Sequence, residues 1–160
     1  MTVSRPTGSN MGHTCSDILL HVVFSTKGRR PLLDPALRDR LLPYLGGIVE
    51  KFGAFLVASN AVVDHVHLLI LLPPAVAPAG IVRAVKGGSS KWVHETWSDR
   101  ASFAWQEGYG AFSVSRRSTP DIVRYIAGQA EHHERATFKD EFRVLLSQHG
   151  ISVDERYVWG

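Results

Sequence analysis

Cysteine is almost absent from this chain: Cys15 is the sole thiol among 160 residues. An intrachain disulfide and a cysteine-based zinc site are both excluded by that count. Long apolar runs are missing as well. Leu68-Leu69-Ile70-Leu71-Leu72 and its flanks fall well short of the roughly 20 apolar residues needed to span a membrane as a helix. Met1 to Asn10 lacks the apolar segment of a secretory signal, so a cytoplasmic location is the expectation. There is no Gly-rich Walker sequence and no internal repeat. A strong charge bias is also lacking. Eighteen Lys and Arg against 15 Asp and Glu give a formal charge of +3, compatible with a nucleic-acid partner but insufficient to establish one. With 44% hydrophobic and 21% charged residues, the composition is that of an ordinary globular protein. One domain over residues 17–160 is expected, preceded by a mobile leader over 1–16 rich in Ser, Thr, Gly and Pro.

Strand and helix signals alternate along that domain. Ile18 to Thr26 is apolar and β-prone, and Lys27-Gly28-Arg29-Arg30-Pro31 breaks it. Asp34-Pro35 reads as a cap and first helical position, for a helix running to Lys51 and closed by Gly53. Strands are expected over 55–63 and 65–72, and a helix over 79–97. A further strand is expected within 103–115, a helix over 121–135, and a last helix over 137–148 with Gly150 as its stop. The order describes an α+β, ferredoxin/RRM-like sandwich with a largely antiparallel central sheet.

Asp64-His65-Val66-His67 carries the first chemical signal. On a strand, alternate residues share a face, so His65 and His67 point the same way and form half of a divalent-metal site. The alternative is two core-rim histidines satisfied by hydrogen bonds. The second signal lies on the helix from Asp121. Ile122, Val123, Ile126, Ala127 and Ala130 form its apolar arc, with Tyr125 and Gln129 one turn apart at the edge. The Gln129 amide oxygen can complete a His-His-Gln ligand set, with Tyr125 supplying a nucleophilic oxygen. The bland alternative makes Tyr125 a boundary residue and Gln129 a solvated position. His132 and His133 read as surface residues, and no role is assigned to them or to His21.

Taken together, these blocks resemble a known family. His21-Val22-Val23-Phe24-Ser25-Thr26-Lys27-Gly28-Arg29-Arg30-Pro31, Asp64-His65-Val66-His67-Leu68-Leu69, Gly108-Tyr109-Gly110-Ala111-Phe112-Ser113-Val114 and Tyr125-Ile126-Ala127-Gly128-Gln129 occur in this order. They are similar to the single-tyrosine HUH transposases of the insertion-sequence 200/605 group, which includes the repeat-associated tyrosine transposases. The resemblance implies a DNA strand transferase that takes single-stranded DNA with hairpin ends. It implies Mg²⁺ or Mn²⁺ on His65, His67 and Gln129, and attack by Tyr125 to give a 5′-phosphotyrosine link. It further implies a homodimer in which the tyrosine helix can act in trans, working at the bacterial nucleoid. Without ATP, such a reaction stays reversible because one phosphate ester replaces another.

Basic residues flank the expected site. Lys27, Arg29 and Arg30 follow the first strand, Arg83, Lys86 and Lys91 lie on the helix after the histidine strand, and Arg116 and Arg117 precede the tyrosine helix. Grouped this way they are candidate phosphate contacts. Trp92, Trp97, Trp105 and Tyr109 are expected in the core rather than stacked on bases. Three alternatives compete with transposition. A non-catalytic single-strand-binding module leaves the histidine pair and Tyr125 without a task. A zinc hydrolase using His65, His67 and His133 lacks a carboxylate base beyond Asp64, which a regular strand directs away from the histidines. A domesticated repeat-associated tyrosine nuclease shares all of the chemistry.

Overall fold

The computed structural model describes residues 14–159. The leader expected over 1–16 therefore lies, up to residue 13, outside the described residues. Strand β1 (Ile18–Ser25) is followed by α1 (Pro35–Lys51), β2 (Phe55–Ala61), β3 (His65–Leu72), α2 (Pro78–Thr96) and β4 (Gly110–Val114). Helices α3 (Thr119–Ala127), α4 (Gln129–His133) and α5 (Phe138–Gln148) come after the sheet is complete. The strands form one sheet in the order β2-β3-β1-β4, with every neighbouring pair antiparallel. This is the expected ferredoxin-like arrangement.

Local chemistry sets several boundaries. The Asp34 carboxylate accepts a hydrogen bond from the Leu37 amide at 3.0 Å, and Pro35 opens α1. Gly53 takes φ 68° to turn the chain into β2. At the last helix, Thr137 and Asp140 form a reciprocal capping box.

The two sheet faces are built differently. Val22 and Phe24 of β1, with Val66, Leu68 and Ile70 of β3, pack against α1 and α2 in the largest core cluster. The alternating residues Leu19, His21 and Val23, with His65, His67 and Leu69, face α3 and α5. All three histidines on this second face are buried. A polar site is thus set into an otherwise apolar sheet surface.

Three expected elements are shorter than the sequence pattern suggests. The strand expected within 103–115 is confined to Gly110–Val114, because residues 105–108 are committed elsewhere. Gln106 Oε1 accepts from the Ser25 amide at 2.9 Å, and Lys86 Nζ donates to the carbonyls of Gln106, Glu107 and Gly108. The strand expected to reach Val63 ends at Ala61, since the Val63 carbonyl accepts from Leu33 N instead of a sheet partner. The helix expected over 121–135 is broken at Gly128. There Asn60 Nδ2 donates to the carbonyls of Ile126 and Ala127 at 2.9 and 3.3 Å, oxygens that an unbroken helix would direct to the amides four residues on.

Candidate active site

Strand β3 presents His65 and His67 on one face, and the register sets them opposite Ser25 and Val23 of β1. Each imidazole has its outer nitrogen engaged. His65 Nδ1 lies 2.7 Å from Asp64 Oδ1, and His67 Nδ1 lies 2.8 Å from His21 Nε2. Such partners fix ring orientation and tautomer at metal-ligating histidines. Both Nε2 atoms then converge on one place. Asp64 is a correction to the sequence reading: it precedes the strand, so strand alternation does not govern its carboxylate, which turns onto His65.

Tyr125 and Gln129 reach the same place from α3 and α4. The Tyr125 ring lies edge-on to His67, with centroids 5.6 Å apart. Gln129 Oε1 is 3.3 Å from His65 Nε2, and the Gln129 side chain is fully buried. It occupies the inward position that the helical wheel assigned to its apolar neighbours. Ile126 is buried and Ile122 and Val123 are half-buried, whereas Ala127 and Ala130 are exposed. The break at Gly128 re-aims the second half of the segment.

A residue absent from the sequence reading completes the cluster. Glu141 of α5 is 3% exposed, with Oε2 3.2 Å from His65 Nε2 and Oε1 3.1 Å from His67 Nε2. It accepts a hydrogen bond from Gln129 Nε2 at 2.9 Å and another from the Tyr125 hydroxyl. The available signal was an acidic residue sharing the stripe of Phe138, Phe142 and Leu145. His132 and His133 also depart from expectation. Both are partly buried, with the His132 ring 5.4 Å from Tyr125 and the His133 ring 5.6 Å from His65.

The electrostatics follow from this packing. Burial opposes a charge on His65, but the Asp64 and Glu141 carboxylates outweigh it and push the imidazole pKa up. Burial acts against the Glu141 carboxylate too, yet the His65 and His67 imidazoles within 3.2 Å of it hold it well below the usual carboxylate range. Burial lowers the pKa of His67. Burial, with His67 and His149 adding to it against Glu141, lowers that of His21 to about 3. Tyr125 is pushed up, by burial first and then by the Glu141 charge, so its resting form is the neutral phenol.

The cluster has the donor chemistry of a divalent-cation site. Ligand atoms of His65, His67 and Glu141 all lie within 4.8 Å of one another. His67 Nε2 and Glu141 Oε2 are buried without a hydrogen-bond partner, a costly state that a cation would relieve. Next to the phenol, a cavity of about 440 Å³ is lined by Ile122, Tyr125, His132, Val144 and Leu145, among others.

The flanking basic residues are not equivalent. Lys27, Arg30, Arg83, Lys91, Arg116 and Arg117 are exposed and Arg29 is partly so. Arg116 pairs with Asp17, and Lys91 lies 3.8 Å from Glu95. Lys86 is half-buried and directs its ammonium at three carbonyls, the work of a loop clamp. Trp105 is buried, Trp92 and Trp97 are partly buried, and Tyr109 is exposed beside Lys86. Among the described residues, no helix is long and apolar enough to cross a membrane.

Comparison with known proteins places this geometry in context. The family model described as "Transposase IS200 like" matches residues 14–129. The transposase for insertion sequence element IS200 of Salmonella typhimurium is 27% identical over 127 residues, covering 76% of this chain and 83% of that protein. The ISDra2 transposase TnpA of Deinococcus radiodurans is 26% identical over 117 residues, covering 68% and 81% respectively. Among solved structures, a candidate transposase from Deinococcus radiodurans R1 superposes with a TM-score of 0.58 at 27% identity, covering 76% of this chain and 98% of that one. A repeat-associated tyrosine transposase bound to a REP hairpin superposes with a TM-score of 0.59, covering 79% of this chain and 74% of its own. At 14% identity that second likeness speaks to the fold alone.

Proposed function

Because the chain belongs to the IS200-like transposase family, we propose that it cleaves and rejoins single-stranded DNA at mobile-element ends through a covalent link to Tyr125. The observation that carries this reading is the meeting of the Tyr125 hydroxyl, both His Nε2 atoms and the Gln129 amide around one buried point. A cleft that only bound a nucleic acid has no need of that convergence. A hydrolase using water has no need of the phenol.

In the proposed reaction the Tyr125 oxygen bonds to the scissile phosphorus as the bond to the 3′-side oxygen breaks. The phenolic proton passes to Glu141 Oε1, which already accepts its hydrogen bond. The departing 3′ oxygen takes up a proton to leave as a hydroxyl, and the 5′ side stays on the enzyme as a phosphotyrosine. His65, His67 and Gln129 would hold a divalent cation, Mg²⁺ or Mn²⁺, which would supply positive charge to the phosphate and offset the Glu141 charge that, with burial, keeps the phenol protonated. His21 and Asp64 hold the imidazoles in place from behind. The apolar cavity next to Tyr125 suits the base adjoining the scissile phosphate. One ester replaces another of similar energy, so the 3′-hydroxyl can later reverse the attack and join a new partner.

The substrate proposed is DNA with a folded hairpin end, as in the hairpin complex of the repeat-associated relative. Exposed Lys27, Arg30, Arg83, Lys91, Arg116 and Arg117, with the partly exposed Arg29, are proposed phosphate contacts. Lys86 enters that set only through the loop it clamps. A homodimer acting at the nucleoid is part of the proposal. The second subunit is proposed to bring two DNA ends together, with its tyrosine helix able to serve its own histidines or its partner's. The test is cleavage of single-stranded flanking DNA in Mn²⁺: Tyr125→Phe abolishes it if the phenol is the nucleophile and leaves it intact if water is.

A further inference from the structure

We propose that Glu141 is a fourth protein ligand of the divalent cation, so that this chain offers a His-His-Gln-Glu set in place of two imidazoles and an amide. The inference rests on the metal reading of His65 and His67 and extends it to a helix outside the family match, which ends at residue 129.

Three observations carry it. First, a carboxylate is costly to bury, and Glu141 is buried in the one place where both Nε2 atoms converge. Its Oε2 lies 3.2 Å from His65 Nε2 and its Oε1 3.1 Å from His67 Nε2, yet neither Oε2 nor His67 Nε2 gains a well-directed hydrogen bond from these contacts. Second, α5 is built to hold it there. Phe138, Phe142, Leu145 and Leu146 pack with Val23 and Phe112 of the sheet, and the capping box at Thr137 and Asp140 starts the helix at Phe138, three residues before Glu141. A Cβ at position 110 would lie 2.7 Å from Phe142 Cε2, so glycine there is what lets α5 seat so closely. Third, the ligand chemistry is apt. A carboxylate oxygen suits Mg²⁺ and Mn²⁺ better than a third imidazole would. It also removes one unit of positive charge from the loaded site, so a cation can bind before any phosphate arrives.

The rival explanation makes Glu141 a mere counter-ion to His65 in the cation-free protein, displaced on loading. The two differ in sign. A ligand strengthens cation binding, whereas a displaced counter-ion opposes it.

The experiment is titration of the DNA-free full chain with Mn²⁺, following the free ion by electron paramagnetic resonance. Circular dichroism verifies the fold of each variant. The expected result is one site in the wild-type protein, weakened at least about tenfold in Glu141→Gln. Glu141→Asp, which keeps the charge, should recover part of the loss. Equal or tighter binding by Glu141→Gln, while His65→Ala still loses the site, overturns the ligand role and leaves the metal reading standing. Absence of Mn²⁺ binding by the wild-type protein overturns both.

Discussion

Tyr125 donates its phenolic hydrogen bond to Glu141 Oε1, sixteen positions further along the chain. The same carboxylate reaches His65 and His67, so α3, α5 and β3 meet at a single side chain. Burial first, and then this negative neighbour, disfavour ionisation of the resting phenol. In the proposed reaction, this arrangement keeps the phenol protonated until positive charge enters the cluster.

The residues behind the proposed metal ligands are expected to matter almost as much as the ligands themselves. His21 fixes His67 through a 2.8 Å contact, and Asp64 fixes His65 at 2.7 Å. His21→Phe and Asp64→Ala should each weaken Mn²⁺ binding by about 10–100-fold with the fold retained. Calorimetric titration measures this, and wild-type affinity in both variants would mean that ring orientation does not limit the site.

Gly110→Ala tests whether α5 is held in place by close packing. The added methyl would meet Phe142 at 2.7 Å and Phe112 at 2.8 Å. The aromatic rings must shift, at a cost of about 1–3 kcal/mol, and Glu141 must move with α5. Urea unfolding should show the lower midpoint, and Mn²⁺ affinity should fall with it. Unchanged stability would show that the rings have room to yield.

Lys86 and Arg83 sit one turn apart on α2 but are expected to behave differently. Lys86→Met removes three charged hydrogen bonds to the 106–108 loop and should cost about 1–3 kcal/mol of stability. Arg83→Ala should leave stability unchanged and reduce the slope of log affinity for DNA against log salt by about 1. Salt-dependent binding measured on both variants separates the roles. An equal change of slope in the two would return Lys86 to the phosphate contacts.

The sequence made some of this site legible for simple reasons. Residues two apart on a strand share a face, which brings His65 and His67 together without knowledge of the fold. Residues four apart on a helix do likewise, and Tyr125 and Gln129 stay on one side even across the Gly128 break. What escaped depends on distant partners. His21 meets His67 only through the β1–β3 register. The helix breaks where Asn60, on another strand, draws off its carbonyls. Glu141 reads as an ordinary acidic helix residue until α5 is laid across the sheet. The strand expected within 103–115 is confined to its second half for the same reason, its first half being captured by Ser25 and Lys86.

The central claim is that phenol and imidazoles act on one phosphorus atom. The most direct measurement mixes the protein with Mn²⁺ and single-stranded flanking DNA, isolates the denaturation-resistant adduct and maps it by peptide mass spectrometry. The account predicts DNA on Tyr125, with no adduct formed by Tyr125→Phe or His65→Ala. Adduct on exposed Tyr157 or any other residue, or adduct formed undiminished by His65→Ala, would contradict it.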